Sequence, residues 1–379
     1  MIKRFFNLLL LSALCSMAHA QLNGDGYYRI QNVNRQRYIA VLDSTGWIKA
    51  TTGGVEYDLY SLRTLKEKDN NIVSNPATIL YIKKVDDGYT FMSQGIDTRK
   101  LTSHVLTIKD MGNNVYRASG EIKNTARVVL SDPWNAEEDS GCILTSGTST
   151  RDWYIKPVKQ STSCYFGFAP TLQVGGKYYQ SFYASFPWRT LGNGVKVYYV
   201  SKIFNNQAVL TAIADGTTIP AATPVIVECT SANPSDNQIE LITGTYTSIS
   251  GNLLKGNYFC YEYGSGNKYH FSKVAFDASS MRTLGVGKNG KLCFITPGTA
   301  TLDKGQYLPG NCAYLTVKAS NASELPIIDK DQYTLGIENL NSVTTNNREG
   351  IYTISGTRVN NATNLQHGVY IINGKKVMR

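Results

Sequence analysis

The chain has 379 residues, of which only 17% are charged, while Gly (33) and Tyr (25) are abundant. This composition excludes a helical bundle and favours short strands joined by tight turns, with enough length for about two or three domains. The formal net charge of +10 comes from Lys and Arg residues scattered along the chain, with no run of five and no basic helix. Nucleic-acid binding shows a clustered basic footprint, so no nucleic-acid partner is expected, and the basic excess fits a solvated surface.

The N-terminus predicts a secretory signal peptide over residues 1–20. A basic start at Lys3 and Arg4 precedes a mainly apolar stretch that ends in small residues at Ala20. A lipoprotein signal at Cys15 is the weaker alternative, because a leucine precedes this cysteine where a small residue is needed. No later segment has the length and apolarity of a membrane helix, so no membrane span is predicted.

Residues 21–160 predict a β-trefoil domain. A rhythm of short strands recurs three times, at intervals of roughly forty to fifty residues. Three repeats of four short strands each would close into a barrel. Within this region, residues 71–80 predict a short helix that begins at Asn75 and Pro76, because proline is well tolerated in a first helical turn.

The end of the third repeat, Trp153-Tyr154-Ile155, resembles the Gln-x-Trp-x-Ile ending of ricin-type lectin repeats. Arg151 stands where that pattern has Gln, and the other two repeats lack the Trp. The resemblance therefore implies the trefoil fold more than the sugar sites of that family. Trp153 itself lies in an alternating strand and is expected in the core.

Residues 165–320 predict a second all-β module, with alternating positions that fit sheets buried on one face. We expect a β-sandwich-like arrangement, with a barrel as the alternative. The order of its strand phrases, such as those at 194–200 and 219–227, resembles an all-β module of secreted Bacteroidetes proteins that precedes a sorting domain. A polar linker at 321–348 follows, with one strand predicted near residues 332–335.

Residues 349–379 predict a small C-terminal β module of paired strands with tight glycine turns. The pattern Tyr-x-x-x-Gly-x-Arg-Val, followed by Gly-Val-Tyr-Ile-x-Asn-Gly-Lys-Lys-Val, resembles the C-terminal sorting domain of proteins exported by Bacteroidetes. The residues that carry this resemblance are Gly356, Arg358, Val359, Gly368, Tyr370, Gly374, Lys375 and Lys376. The resemblance implies recognition by the type IX secretion machinery, removal after transport and possible attachment to the surface. The alternative is a last strand pair that only completes the fold.

The sequence offers few groups for catalysis. His104, His270 and His367 lie far apart, and no Gly-x-Ser-x-Gly elbow or His-Glu-x-x-His helix occurs. Neighbouring carboxylates, which a glycosidase needs, occur in polar turn stretches where such groups are ordinarily solvated. These carboxylates are Asp86, Asp87, Glu137, Glu138, Asp139, Asp329 and Asp331. We therefore predict no catalytic site and no cofactor, with a carboxylate-dependent glycoside hydrolase or another secreted hydrolase as the alternative.

Six cysteines follow the signal peptide: Cys142, Cys164, Cys229, Cys260, Cys293 and Cys312. An even number in an oxidising compartment allows disulfides. Several lie within apolar strands, where cysteine is also a common buried residue, so bridges and free thiols both stay open. Zinc requires close ligand spacing, which the sequence lacks, and no metal site is predicted.

The candidate ligand-binding loop contains Asp132, Trp134 and Asn135. A sugar needs an aromatic face for its ring and a carboxylate or amide for its hydroxyls, and this loop supplies both. Trp47 and Trp188 are lesser candidates, and a structural alternative is that these rings pack against the rim of a barrel. We therefore predict a non-catalytic secreted or cell-surface protein that binds a glycan or a protein ligand and is exported through its C-terminal sorting signal.

Overall fold

The computed structural model describes residues 22, 24–42, 46–52, 55–67, 71–94, 96–97, 105–122, 126–132, 141–145, 150–258, 274–318, 322–330, 351–353, 358–359, 368–372 and 375–378. The named elements of these residues are strands and short 3-10 turns. The prediction of an all-β protein is therefore confirmed. Within the described residues, no helix is both long enough and apolar enough to cross a bilayer.

The N-terminal strands form one sheet that closes on itself. These strands are β1 (Gly26–Asn32), β2 (Arg37–Ala40), β3 (Gly46–Thr52), β4 (Val55–Lys66), β5 (Leu80–Val85), β6 (Gly88–Ser93), β7 (Ile96–Asp97), β8 (Thr107–Asp110), β9 (Val115–Ile122), β10 (Ala126–Ser131), β11 (Gly141–Thr145) and β12 (Trp153–Pro157). Hydrogen-bonded neighbours run in the order β1-β2-β4-β11-β10-β9-β12, and β12 pairs again with β1 to complete a ring. We call this closed sheet the N-terminal module.

The trefoil arrangement itself stays a prediction. The sheet has the 12 strands that a trefoil requires. However, the pairing differs among the three groups of four strands, since β2 pairs with β4 whereas β6 pairs with β7 and β10 with β11. The described pairing therefore supports a closed β module without showing a threefold repeat.

Apolar residues from all three repeats fill the N-terminal module. Trp153 is 1% exposed, and its indole N–H donates to the Leu130 carbonyl oxygen at 2.9 Å. The prediction that Trp153 belongs to the core is therefore confirmed. The predicted helix near residues 71–80 is present as two 3-10 turns, Ile72–Ser74 and Pro76–Thr78.

The next 13 strands form a second group, which we call the middle module. They are β13 (Phe166–Gly167), β14 (Leu172–Val174), β15 (Lys177–Phe182), β16 (Trp188–Arg189), β17 (Lys196–Phe204), β18 (Gln207–Ile213), β19 (Val225–Cys229), β20 (Gln238–Leu241), β21 (Leu254–Asn257), β22 (Met281–Val286), β23 (Leu292–Ile295), β24 (Cys312–Thr316) and β25 (Glu324–Asp329). One sheet has the order β13-β20-β16, and a ten-stranded sheet has the order β14-β15-β19-β17-β18-β25-β23-β22-β24-β21. A further 3-10 turn lies at Thr299–Thr301.

Strand β19 shows how the middle module is layered. Val225 and Val227 pack in one core with Phe166 of the small sheet, whereas Ile226 packs in a second core with Phe294 from the far half of the large sheet. Successive strand residues point to opposite faces, so β19 separates the two cores. The large sheet thus curls around the second core, and the small sheet covers its outer face. The sandwich-like arrangement and its barrel alternative both stay predictions.

The C-terminal strands form a separate sheet. They are β26 (Ile351–Thr353), β27 (Arg358–Val359), β28 (Val369–Ile372) and β29 (Lys375–Met378), in the order β27-β26-β28-β29. Among the described strands, no pair joins this sheet to the others. The predicted domain boundaries stay predictions, and the strand expected near residues 332–335 lies outside the described residues.

The N-terminal and middle modules share a buried junction. Arg29 of β1 is 1% exposed and donates to the Thr78 hydroxyl at 2.9 Å and to the Val73 carbonyl at 3.2 Å within its own module. Its other branch donates to the Tyr165 carbonyl at 2.5 Å, at the start of the middle module. A guanidinium has donors in several directions, which allows it to satisfy acceptors on both sides of an interface. The two modules are therefore joined by buried hydrogen bonds from one side chain.

Two side-chain amides form hydrogen bonds across the same junction at a second point. The Gln94 amide nitrogen donates to Asn311 Oδ1 at 2.8 Å, and the Asn311 amide nitrogen donates to Gln94 Oε1 at 3.1 Å. Ile79 of the N-terminal module also packs into the aromatic core of the middle module. Polar and apolar contacts therefore both cross the junction. A groove at this junction is lined by residues of both modules.

Candidate functional site

Asp132, predicted to bind a sugar, is instead a buried structural group. Its Oδ2 accepts from Arg37 Nε at 2.9 Å and its Oδ1 from Arg37 Nη2 at 2.5 Å. The Asp132 side chain is 0% exposed and that of Arg37 is 2% exposed. Burial raises the pKa of Asp132 above its ordinary value, and the hydrogen bonds from Arg37 act in the opposite direction. Both oxygens of this carboxylate therefore accept hydrogen bonds inside the fold, and the group does not face solvent.

The tryptophan predictions have different outcomes. Trp134 and Asn135 lie outside the described residues, so their proposed contact with a ligand stays a prediction. The side chain of Trp47 also lies outside them. The lesser candidate Trp188 is wrong as a binding residue, because it is 1% exposed and packs edge-on against Phe168.

The carboxylates considered for a hydrolase do not form a described cleft. Asp86 and Asp87 are exposed on the turn between β5 and β6, and Asp329 is exposed at the end of β25. The others, Glu137, Glu138, Asp139 and Asp331, lie outside the described residues. In the part of the chain that the structure describes, no group of three His, Cys, Asp or Glu side chains is arranged to hold a metal ion.

The four cysteines whose side chains are described are free thiols. Cys164, Cys229 and Cys293 are buried, and Cys312 is partly exposed. Burial raises the pKa of Cys229 to about 12, so this thiol stays protonated and is a poor nucleophile near neutral pH. For Cys164, Cys229 and Cys293, the sequence alternative of buried free thiols is the one the structure shows.

A small pocket at the junction of the modules is lined by several tyrosine side chains. The sequence predicted an aromatic binding site elsewhere, in the loop at Asp132. We call this pocket the tyrosine pocket, and its volume is about 320 Å³. It is lined by Tyr27, Ile79, Tyr81, Met92, Ser185, Pro187, Ala221, Thr243, Gly244 and Tyr246. None of these described lining residues is a carboxylate, a lysine, an arginine or a histidine.

Three segments bring the tyrosines together. Tyr27 of β1 and Tyr81 of β5 are directly opposite each other in an antiparallel pair, and their ring centroids are 5.0 Å apart at 47°. Tyr27 also contacts Phe186 of the middle module, edge-on at 6.1 Å. Tyr246 lies in a polar loop after β20 and is 42% exposed. The sheet and the aromatic core thus hold Tyr27 and Tyr81, while Tyr246 stands at the solvent side.

A carboxylate stands beside this aromatic group. The Tyr81 hydroxyl donates to Asp25 Oδ2 at 3.4 Å, and Asp25 Oδ1 accepts from the Lys84 backbone N–H at 2.8 Å. Asp25 is exposed, so its remaining acceptor positions face solvent. An aromatic face with an adjacent, accessible carboxylate is the combination expected of the loop at Asp132, and it occurs here instead.

The Tyr27 and Tyr81 phenols of the pocket have raised pKa values. Burial raises the pKa of Tyr27 well above its usual value, and the nearby Tyr246 and Tyr81 phenols raise it further. Burial and then Asp25 raise the pKa of Tyr81. Tyr27 and Tyr81 are therefore neutral near pH 7, and their rings are neutral walls of the pocket.

A larger groove is also lined by residues of both modules, with a volume of about 890 Å³. We call it the module cleft. Its walls come from the 3-10 turns of the N-terminal module and from β14, β15, β22 and β24 of the middle module. Its only aromatic lining residue among those described is Phe182, which is 2% exposed. The module cleft therefore offers no exposed ring for a sugar to stack on.

The sorting residues lie in and next to the C-terminal strands. Arg358 and Val359 form β27, Tyr370 lies in β28 with Gly368 just before it, and Lys375 and Lys376 lie in β29. Gly356 and Gly374 lie outside the described residues.

No family model, curated protein or solved structure matches this chain significantly. Function is therefore inferred from the residues themselves.

Proposed function

We propose that the chain is a non-catalytic secreted or cell-surface protein that binds an uncharged glycan in the tyrosine pocket. The observation that carries this proposal is the grouping of Tyr27, Tyr81 and Tyr246 with the exposed carboxylate of Asp25 beside Tyr81. The apolar face of a sugar ring stacks on aromatic side chains, and its hydroxyls need directed donors and acceptors.

The size and charge of the pocket support the ligand class. A volume of about 320 Å³ lies near the lower end of the range for small-ligand sites, so the pocket suits one or a few sugar units. An anionic sugar would lose solvation against these neutral walls without gaining a partner of opposite charge, and the Asp25 carboxylate beside Tyr81 would repel it. The pocket therefore favours a neutral sugar over a sulfated or carboxylated one.

The test is a glycan array probed with the mature chain, residues 21–379, and with Tyr81→Ala and Tyr81→Phe variants. The whole mature chain is needed because Arg29 and Tyr27 make contacts across the junction. We expect Tyr81→Ala to weaken binding about tenfold through loss of the ring, and Tyr81→Phe to weaken it less than about threefold. Tyr199→Ala, on β17 outside the pocket, is the matched control. A silent array would contradict the proposal.

Export through the C-terminal module is the second part of the proposal. Its support is the motif around Arg358 and Tyr370, together with a sheet that, among the described strands, pairs only with itself. Deletion of residues 350–379 is expected to abolish surface display or release in a host with type IX secretion, while the expressed protein still folds. Unchanged display after this deletion would contradict the export role.

A further inference from the structure

A loop forms one wall of the tyrosine pocket. Residues 242–253 connect β20 to β21, and this connection contains no strand and no 3-10 turn. The loop residues that line the pocket are Thr243, Gly244 and Tyr246. Tyr27 and Tyr81, in contrast, lie opposite each other on the paired strands β1 and β5. Two of the tyrosine rings are therefore held by a sheet, whereas Tyr246 is held by a loop.

Hydrogen bonds anchor this loop at its two ends. At the start, the Ile242 N–H donates to the Pro187 carbonyl oxygen at 2.9 Å. At the end, the Leu253 N–H donates to the Val200 carbonyl oxygen at 2.8 Å. Between these anchors, residues 243–251 form no hydrogen bond with any described residue. The middle of the loop is thus held by its ends and by the contacts of its side chains.

Two glycines with positive φ angles flank the middle of the loop. The φ angle is 119° at Gly244 and 74° at Gly251, values that glycine adopts at little steric cost. At either glycine, an added Cβ would have no atom within 4 Å, so open space surrounds both. Of residues 243–251, Ile249 is partly buried and the others are exposed. A segment with few hydrogen bonds and few buried contacts opens at low free energy, so this loop can move while the modules stay folded.

Tyr246 presents an exposed ring at the edge of the pocket. It is 42% exposed, whereas Tyr27 and Tyr81 are partly buried. Burial raises the pKa of Tyr27, and the Tyr246 phenol is close enough to raise it further. An exposed ring on a weakly held loop gains free energy when it covers an apolar surface. A sugar bound on Tyr27 and Tyr81 would supply such a surface with its outer face.

We propose that residues 243–251 form a flap that closes over a sugar in the tyrosine pocket and brings the Tyr246 ring onto its second face. The flap presupposes the glycan binding proposed for this pocket and adds a moving wall to it. A sugar ring has two faces, and a platform made of Tyr27 and Tyr81 stacks on one of them. Closure of a loop over a bound molecule excludes water and delays its release. Tyr246 therefore contributes its full contact to binding only when the flap is closed.

Hydrogen–deuterium exchange of the mature chain tests the closure directly. The probes are the neutral trisaccharides cellotriose, maltotriose and triacetylchitotriose. In the free protein, the amides of residues 243–251 should exchange within seconds, because no hydrogen bond to a described residue protects them. At a saturating concentration of a trisaccharide that binds, their exchange should slow at least about fivefold, since it then occurs only from the minor open state. The amides of β1 and β5 should be equally protected with and without the sugar.

Variants separate the flap from the fixed rings. Tyr246→Ala should weaken trisaccharide binding about two- to tenfold, the range for one aromatic contact, and should remove the slowing of exchange in residues 243–251. Thr247→Ala is the matched control, because it changes an exposed residue of the same loop that does not line the pocket. Its binding and exchange should match those of the unchanged protein. Tyr81→Ala should also weaken binding, but a saturating concentration of the sugar should still close the flap.

The outcomes distinguish a failure of the flap from a failure of glycan binding. Binding that Tyr81→Ala weakens, together with unchanged exchange of residues 243–251, overturns the flap and leaves a sugar site with a fixed wall. Slow exchange of these residues in the free protein also overturns it, since the loop is then rigid before any sugar binds. If none of the trisaccharides binds up to about 10 mM, beyond the millimolar range of weak recognition, glycan binding fails for these sugars and the flap fails with it. The exchange comparison is made on the unchanged protein, so it stands even where a variant fails to fold.

Discussion

Arg37 and Asp132 form a two-pronged ion pair in the interior of the N-terminal module, with contacts of 2.9 and 2.5 Å and almost no exposed surface on either side chain. The pair joins the start of β2 to the residue that follows β10. It therefore connects the first and third repeats of the closed sheet.

Removal of one partner should destabilise the protein strongly. Asp132→Ala leaves the Arg37 charge buried without its carboxylate, and we expect a loss of about 3–5 kcal/mol in the free energy of unfolding. Asp152→Ala is the matched control, because its ion pair with Arg117 is about one-third exposed and its loss should destabilise the protein far less. Urea unfolding measures both, and equal effects of the two substitutions would refute the structural role of Asp132.

Arg29 should stabilise both modules together. Arg29→Met leaves the carbonyls of Val73 and Tyr165 without their donor, and we expect a loss of about 3 kcal/mol, shared by the whole protein. Arg189→Met is the control, since Arg189 forms an exposed ion pair with Glu240. Unfolding followed by tryptophan fluorescence, to which the buried Trp153 and Trp188 contribute, should show one common transition for the N-terminal and middle modules. Two separate transitions in the unmodified protein would contradict a shared junction.

Stability should fall at alkaline pH because of buried phenols. Burial and then Glu228 raise the pKa of Tyr179 to about 12, and burial and then Glu67 raise that of Tyr38 to about 12. An unfolded tyrosine ionises near pH 10, so the unfolded state releases protons first. The contribution of these groups is fully present below pH 10 and is lost as the pH rises towards 12. Ultraviolet titration should show late-ionising tyrosines in the folded protein, and Tyr179→Phe should reduce the alkaline loss of stability.

Cys229 should resist alkylation in the folded protein. Its thiol is buried and its pKa is raised to about 12, so very little thiolate is available at pH 8. Iodoacetamide labelling followed by peptide mass spectrometry should modify Cys312 before Cys229, and urea should remove the difference. A disulfide found at Cys229 in the secreted protein would contradict the free thiol.

Local patterns in the sequence predict much of this fold. Alternation and glycine turns indicate the all-β class, the strand containing Trp153 indicates its burial, and Asn75-Pro76 indicates the turn that begins there. Each of these features depends on residues close together in the chain, where propensity and periodicity act directly. They are the features in which prediction and structure agree.

The candidate site depends on distant residues, and for that reason the sequence did not predict it. Tyr27, Tyr81 and Tyr246 come from separate elements, and each one alone looks like an ordinary strand or loop tyrosine. The prediction for Asp132 was wrong because a polar residue in a loop next to Trp134 suggests an exposed side chain. Its partner Arg37 lies far away in sequence, so the buried ion pair has no local signal. The available signal is Asp25, which lies two residues before Tyr27 of β1, together with the tyrosine at the same alternating phase of β5, Tyr81.

The most direct measurement compares glycan binding by the mature chain with that of Tyr81→Ala and Asp132→Asn, at a temperature where all three are folded. We predict that Tyr81→Ala loses about tenfold in affinity, while Asp132→Asn keeps the affinity of the unchanged protein. Loss of binding in Asp132→Asn together with full binding in Tyr81→Ala would place the ligand at the loop after β10 and contradict the tyrosine pocket.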